Sequence, residues 1–173
     1  MKKIGLFYGP MGGSTERVAK KIATVLGNEN VDLIPVKESK FTDIDKYENI
    51  IFGISTIGKE TWESDKSAND WDVFFPEIEK ADYTNKIIAI FGLGDQITYD
   101  LHFVDSIGIL SEKIISKGAQ IIGQVDTDGY DFRESKAIVD GKFIGLPVNE
   151  DFEPELTDER INNWINQIKN KFK

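Results

Sequence analysis

Ile4-Gly5-Leu6-Phe7-Tyr8-Gly9-Pro10-Met11-Gly12-Gly13-Ser14-Thr15 passes from an apolar run through a glycine-rich turn into a helical pattern. Residues 3–8 read as a buried strand, and the turn over 9–13 as its exit. Beyond the turn, Val18, Ile22, Val25 and Leu26 recur three to four apart while Lys20 and Lys21 lie off that stripe. That spacing predicts an amphipathic helix. Ser14 or a neighbour is the expected N-cap, and Gly27 the stop. A strand that feeds a helix through glycines aims the turn's N–H groups, and the positive end of the helix dipole, at whatever lies above it.

The same alternation repeats outward from this unit. Val31–Val36 and the nearly continuous apolar run Asn49–Ile54 read as strands, followed by a helix over Asn69–Lys80. Lys86–Phe91 is a strand, Phe103–Lys117 a helix ending at Gly118, and Ala119–Val125 a strand. Thr157–Phe172 closes with an amphipathic helix, with Thr157 as the expected cap and Asp158 and Glu159 complementing its dipole. Strands that alternate with helices and are apolar on both faces predict an α/β fold, a five-stranded parallel, doubly wound sheet with helices on both sides. The stretch 126–147, rich in Asp, Gly and Phe, is too long for an ordinary connection and reads as an insertion interrupting the last strand.

Length and composition bound the chemistry. A chain of 173 residues suits one domain, expected over 1–173, and its 40% hydrophobic and 29% charged residues are ordinary globular proportions. No apolar run approaches the roughly 20 residues that span a bilayer, and Met1-Lys2-Lys3-Ile4-Gly5 offers no signal-peptide pattern, so the expected location is cytoplasmic. With no cysteine and one histidine, the chain has no thiolate metal site, iron–sulfur ligation or thiol nucleophile, and no metal site is expected. A net charge of −9 repels the phosphate backbone of nucleic acid and favours a basic partner or simple solubility.

In an open parallel sheet, ligands sit outside the carboxyl ends of the strands where strand order reverses. Three loops meet that description: 9–15, 55–62 and 92–99. The first, Pro10-Met11-Gly12-Gly13-Ser14-Thr15, reads as an anion cradle or as a glycine-rich turn without a ligand. It has neither the lysine of a triphosphate loop nor the spacing of a dinucleotide fingerprint. The second carries Ser55-Thr56-Ile57-Gly58-Lys59 and Trp62. The third carries Gly92-Leu93-Gly94-Asp95 and Tyr99. Ile57 or Trp62 on one loop and Tyr99 on the other can sandwich a flat ring, although each is also an ordinary half-buried packing residue. His102 reads as a surface or capping residue, Trp71 and Trp164 as core anchors, and Asp126, Asp128, Asp131 and Asp140 as turn residues without calcium-loop spacing.

Several segments, in order, resemble the long-chain flavodoxins over nearly the whole chain. They are Ile4–Gly9; Phe91–Gln96 with Tyr99; Thr127–Phe132 with Ser135-Lys136-Ala137; Asp140–Leu146; and Leu156–Ile161. The resemblance implies a flavodoxin-like fold binding FMN, and a low-potential one-electron carrier, not an enzyme, running between a reductase and acceptor redox enzymes. It would cycle between the semiquinone and hydroquinone. It also implies a monomer whose acidic surface docks redox partner proteins. By the same resemblance Tyr99 stacks on the outer ring face, the 92–99 loop and Asp95 face the pyrimidine edge, and the 9–15 loop holds the phosphate. Gly58 lies where the family's loop carbonyl turns toward the flavin on reduction. Glu60, Asp95 and Asp100 are candidates for repelling the fully reduced, anionic ring.

The chain departs from the family pattern at four positions. Pro10 and Gly12 stand where hydroxyl residues are usual, removing two donors, while Ser14 and Thr15 remain. Ser55 replaces a proline, and Ile57 a tryptophan in a longer loop. These departures leave a flavoenzyme acting on a small molecule over the ring as the competing reading. A signalling receiver on the same topology is disfavoured, because aspartates do not cluster at the ends of the first and third strands.

Overall fold

The computed structural model describes residues 2–55 and 69–173. Strand β1 (Ile4–Tyr8) leads into α1 (Ser14–Leu26), followed by β2 (Val31–Pro35), α2 (Phe41–Ile44) and β3 (Asn49–Ile54). Then come α3 (Asp70–Lys80), β4 (Ile87–Leu93), α4 (Asp105–Ile115) and β5 (Gln120–Ile121). Short strands β6 (Val125–Asp126), β7 (Ile138–Val139), β8 (Lys142–Phe143) and β9 (Leu146–Val148) precede α5 (Thr157–Ile168).

The main sheet is parallel in the order β2-β1-β3-β4-β5, with β9 also pairing β4. Strand order reverses at β1 and β3, whose carboxyl ends are neighbours: Tyr8 lies opposite Gly53. Successive strand residues point to opposite faces, and both faces are apolar. Ile4, Leu6, Ile51, Ala89 and Phe91 pack with Val18 and Ile22 of α1 and with Ile161, Trp164 and Ile165 of α5. Phe7, Ile50, Phe52, Ile88 and Ile90 pack with Trp71, Phe74 and Ile78 of α3 and with Ile107, Leu110 and Ile114 of α4. Each such fully buried large apolar side chain contributes about 1.5–3 kcal/mol. Trp71 and Trp164 are the core anchors the sequence predicts, both essentially inaccessible. Val25 leaves the predicted apolar stripe of α1 and is 43% exposed.

The predicted last strand, 119–125, divides. Only Gln120 and Ile121 pair with the start of β4, at Ile87 and Ile88. The chain then leaves the sheet at Gly123, whose φ of +88° suits glycine and whose carbonyl accepts the Trp164 indole N–H at 2.8 Å. It returns as β9 against Phe91, Gly92 and Leu93. Between these halves, β6, β8 and β7 form a small antiparallel sheet. The predicted interruption of the last strand is therefore present, with slightly different edges. Phe103, Tyr130, Phe132 and Phe143 pack this excursion onto the start of α4, with ring centroids 5.1–5.8 Å apart.

Two helix starts differ from expectation. The N-cap of α5 is Leu156, not Thr157, because a tight turn over Pro154–Leu156 already lets Pro154 O accept the Thr157 N–H. Helix α4 begins at Asp105, two residues later than predicted, because Val104 at its N-cap takes the left-handed conformation (φ +48°, ψ +32°).

Candidate functional site

The carboxyl ends of β1, β3 and β4 lie side by side in the sheet, and the loops after β1 and β4 are among the described residues. The loop after β1 is pinned at its base, where Gly9 N–H donates to Gly53 O at 3.2 Å. The Trp71 indole N–H, buried in α3, is shared between Gly9 O at 3.2 Å and Gly53 O at 3.0 Å. One core tryptophan therefore locks the start of the first loop to the end of β3. A Cβ on Gly53 would lie 2.2 Å from the Phe91 ring, so only glycine lets β3 and β4 pack this closely at the site.

Helix α1 has Gly13 at its N-cap, with no side chain capping it. The Ser14 hydroxyl is not the cap: its Oγ accepts from Arg17 Nη2 at 2.6 Å. Thr15 is buried at 2% exposure. Gly12 has a φ of +79°, and a Cβ built on Gly12 or Gly13 meets nothing within 4 Å, so open space lies over the turn. The first-turn amides, the Ser14 and Thr15 hydroxyls and the nearby guanidinium make an anion-binding set. Two carboxylates also reach the turn, Glu16 Oε2 at 2.6 Å from Gly12 N and Asp70 Oδ2 at 3.1 Å from Met11 N. Sequence reasoning missed both. An acidic residue three positions past the Gly13 cap was a local signal for Glu16. Asp70 is distant in sequence and left none.

The third loop is held by the resumed strand, since Gly94 N–H donates to Val148 O at 3.0 Å. Asp95 Oδ1 then accepts from Ile97 N–H at 2.9 Å and Thr98 N–H at 2.8 Å, folding the loop into a tight turn. Burial raises the Asp95 carboxyl, but the Thr98 and Ile97 donors outweigh it and hold it below the ordinary carboxylate range. The turn presents Ile97 and Tyr99 outward, 60% and 53% exposed. Gln96 is buried, and its side-chain oxygen accepts the Asp131 N–H at 3.2 Å, tying the loop to the excursion. Asp100 is held by the Arg133 guanidinium, so its charge is compensated locally. His102 is exposed, with Nδ1 3.1 Å from Asp105 Oδ2.

Of the residues predicted for the site, Pro10, Met11, Gly12 and Gly13 are on the turn after β1, Ser14 and Thr15 open α1, Ser55 follows β3, Gly92 and Leu93 end β4, and Gly94, Asp95 and Tyr99 are on the loop beyond it. Thr56, Ile57, Gly58, Lys59, Glu60 and Trp62 lie outside the described residues. Among the described residues no group of three or more acidic or histidine side chains could hold a metal ion. No helix there is long and apolar enough to cross a membrane.

A family model described as Flavodoxin matches residues 6–164. The flavodoxin of Nostoc sp. (strain PCC 7120) is 44% identical over 171 residues, covering 99% of this chain and 98% of the relative. That of Haemophilus influenzae is 43% identical, covering 97% and 94%. Among solved structures, Fusobacterium nucleatum flavodoxin bound to flavin mononucleotide superposes with a TM-score of 0.88 at 32% identity, covering 100% of both chains.

Proposed function

This chain belongs to the flavodoxin family, and we propose that it binds FMN at the three-loop site and carries single electrons between redox proteins. The observation that carries this reading is the pairing of an uncapped α1 N-terminus, flanked by Ser14, Thr15 and Arg17, with the outward Tyr99 of the third loop. The first fits a phosphate monoester and the second a flat aromatic ring, as the phosphate and isoalloxazine of FMN require.

When bound, the flavin supplies the electron chemistry. The chain supplies binding and electrostatics. The first-turn amides of α1 and the Ser14 and Thr15 hydroxyls hold the phosphate, and Tyr99 covers the outer ring face. Gly92-Leu93-Gly94-Asp95 lines the pyrimidine edge, with Ser55 at the carboxyl end of β3 beside it. Asp95, ionised across the working range, places a fixed negative charge there. A unit charge several ångströms away in a wet site is worth about 1 kcal/mol against adding a second negative charge to the ring, which lowers the second potential.

The net charge of −9 supports docking of basic partner surfaces and argues against nucleic acid. A single-domain, cytoplasmic monomer is the form in which this carrier works. The test is redox titration of the FMN-loaded protein. Two separated one-electron steps are expected. A single two-electron step would favour a flavoenzyme, and a purified chain that takes up no flavin would overturn the assignment.

A further inference from the structure

Two helices direct carboxylates at the turn that faces the phosphate. Glu16, on the first turn of α1, accepts the Gly12 N–H at 2.6 Å, and Asp70, which opens α3, accepts the Met11 N–H at 3.1 Å. The other Glu16 oxygen is held by Lys20 Nζ at 2.7 Å. Lys20 first, and the Gly12 N–H second, hold the Glu16 carboxyl below the ordinary carboxylate range. On the other side of the turn, Arg17 Nη2 donates to Ser14 Oγ at 2.6 Å and lies 3.6 Å from Glu150.

This arrangement matters more here because Pro10 has no N–H and neither Pro10 nor Gly12 has a hydroxyl. The turn's remaining donors are few, and carboxylates hold two of them, Met11 and Gly12, through charge-assisted hydrogen bonds, the stronger kind, with the Glu16 bond the shorter. We propose that Glu16 is a built-in competitor of the FMN phosphate. Its carboxylate holds the Gly12 amide, so Glu16 and its restraining partner Lys20 set how strongly the loop distinguishes FMN from riboflavin. The inference rests on the FMN site proposed above.

The phosphate meets the Gly13 and Ser14 amides without displacing a carboxylate, but gains Gly12 only when Glu16 turns away. Lys20 favours that turn by keeping a partner on the carboxylate once the Gly12 N–H is released. Riboflavin carries no phosphate, so neither residue affects it. A unit negative charge facing a phosphate across several ångströms of wet protein lowers affinity by about tenfold.

The test is titration of flavin-stripped protein with FMN and with riboflavin, followed by quenching of flavin fluorescence. Glu16→Gln keeps the length and an acceptor for the Gly12 N–H but removes the charge, and thermal unfolding verifies the fold. The FMN Kd is expected to fall about tenfold while the riboflavin Kd stays put. Lys20→Met is expected to raise the FMN Kd several-fold, again sparing riboflavin. An unchanged or weaker FMN affinity in Glu16→Gln, or equal shifts for both flavins, would overturn the competitor role and make Glu16 a scaffold of the turn. Wild-type protein binding neither flavin would overturn the site itself, and this inference with it.

Discussion

The Trp71 indole N–H donates to the Gly9 carbonyl oxygen at 3.2 Å, joining the buried face of α3 to the first residue beyond β1. The same N–H reaches Gly53 O, so the bases of two site loops share one donor from the core. Trp71→Phe keeps an aromatic ring but removes that donor and part of the ring. A buried carbonyl left unpaired costs about 1–3 kcal/mol, and the smaller ring adds a cavity. The expected loss is about 2–4 kcal/mol of unfolding free energy in urea, with weaker FMN binding because the phosphate loop loses its anchor. A loss under about 0.5 kcal/mol would show that the anchor is dispensable.

Tyr99 is half exposed at the tip of a turn whose shape Asp95 sets through its two N–H partners. Tyr99→Leu retains apolar area and loses the ring-on-ring contact, worth about 0.5–1.5 kcal/mol. FMN and riboflavin share the isoalloxazine, so both Kd values should rise together, by about three- to tenfold. A change confined to FMN would place Tyr99 at the phosphate and not at the ring.

What could be read from residue order was whatever depends on local period. The strands at 3–8, 49–54 and 86–91 are apolar on both sides because both faces of the sheet are covered, and the 9–13 turn follows from its glycines. What could not be read depends on distant partners. Gly123 ends the fifth strand because Trp164, on α5, takes its carbonyl. The cap of α1 falls on Gly13, the neighbour of Ser14, whereas Thr157 fails to cap α5 because the preceding turn displaces it. The four-residue helix α2 has too short a pattern to register. The carboxyl-end positions of the candidate loops followed from the strand order. The Asp70 carboxylate and the Trp71 indole that hold the first loop were not, since each acts through backbone atoms of a distant segment, whereas Glu16 had a local signal.

Tyr47 OH donates to Asp32 Oδ2 at 2.9 Å, and Lys3 Nζ lies 2.7 Å from the other carboxylate oxygen. The Lys3 ammonium, with help from Tyr47, outweighs burial and holds the Asp32 carboxyl below its ordinary range. Its contribution to stability is complete above the unfolded value of about 3.9 and is lost as pH falls through the depressed folded value. Tyr47 is raised, by burial first and Asp32 second, to about 12. Its contribution is complete below its unfolded value of about 10 and is lost as pH rises through the folded value. Asp32→Asn should flatten the acid limb of the stability profile and let the Tyr47 phenol ionise at lower pH, followed by ultraviolet absorbance against Tyr47→Phe. An unchanged acid limb would mean that Lys3, being largely exposed, is screened too well to matter.

Thr157 is fully buried, yet its Oγ1 has no hydrogen-bond partner among the described residues, and Asn149 Oδ1 and Arg160 Nη1 likewise have none there. These atoms belong to one polar node. Asn149 Nδ2 and Arg160 Nη2 meet the same Glu153 oxygen, at 3.3 Å and 3.0 Å, and Thr157 precedes Arg160 by three residues on one face of α5. A buried hydroxyl without a partner forfeits its hydration and gains nothing in return, whereas a methyl of the same shape forfeits nothing. The Thr157 backbone N–H is satisfied by Pro154 O whatever the side chain, so the substitution does not disturb the helix start. Thr157→Val should therefore leave unfolding free energy unchanged or raise it by about 1 kcal/mol, measured by urea denaturation. A drop of more than about 1 kcal/mol would mean that the hydroxyl is satisfied by a bridging water shared with Asn149 or Arg160, which the valine methyl displaces.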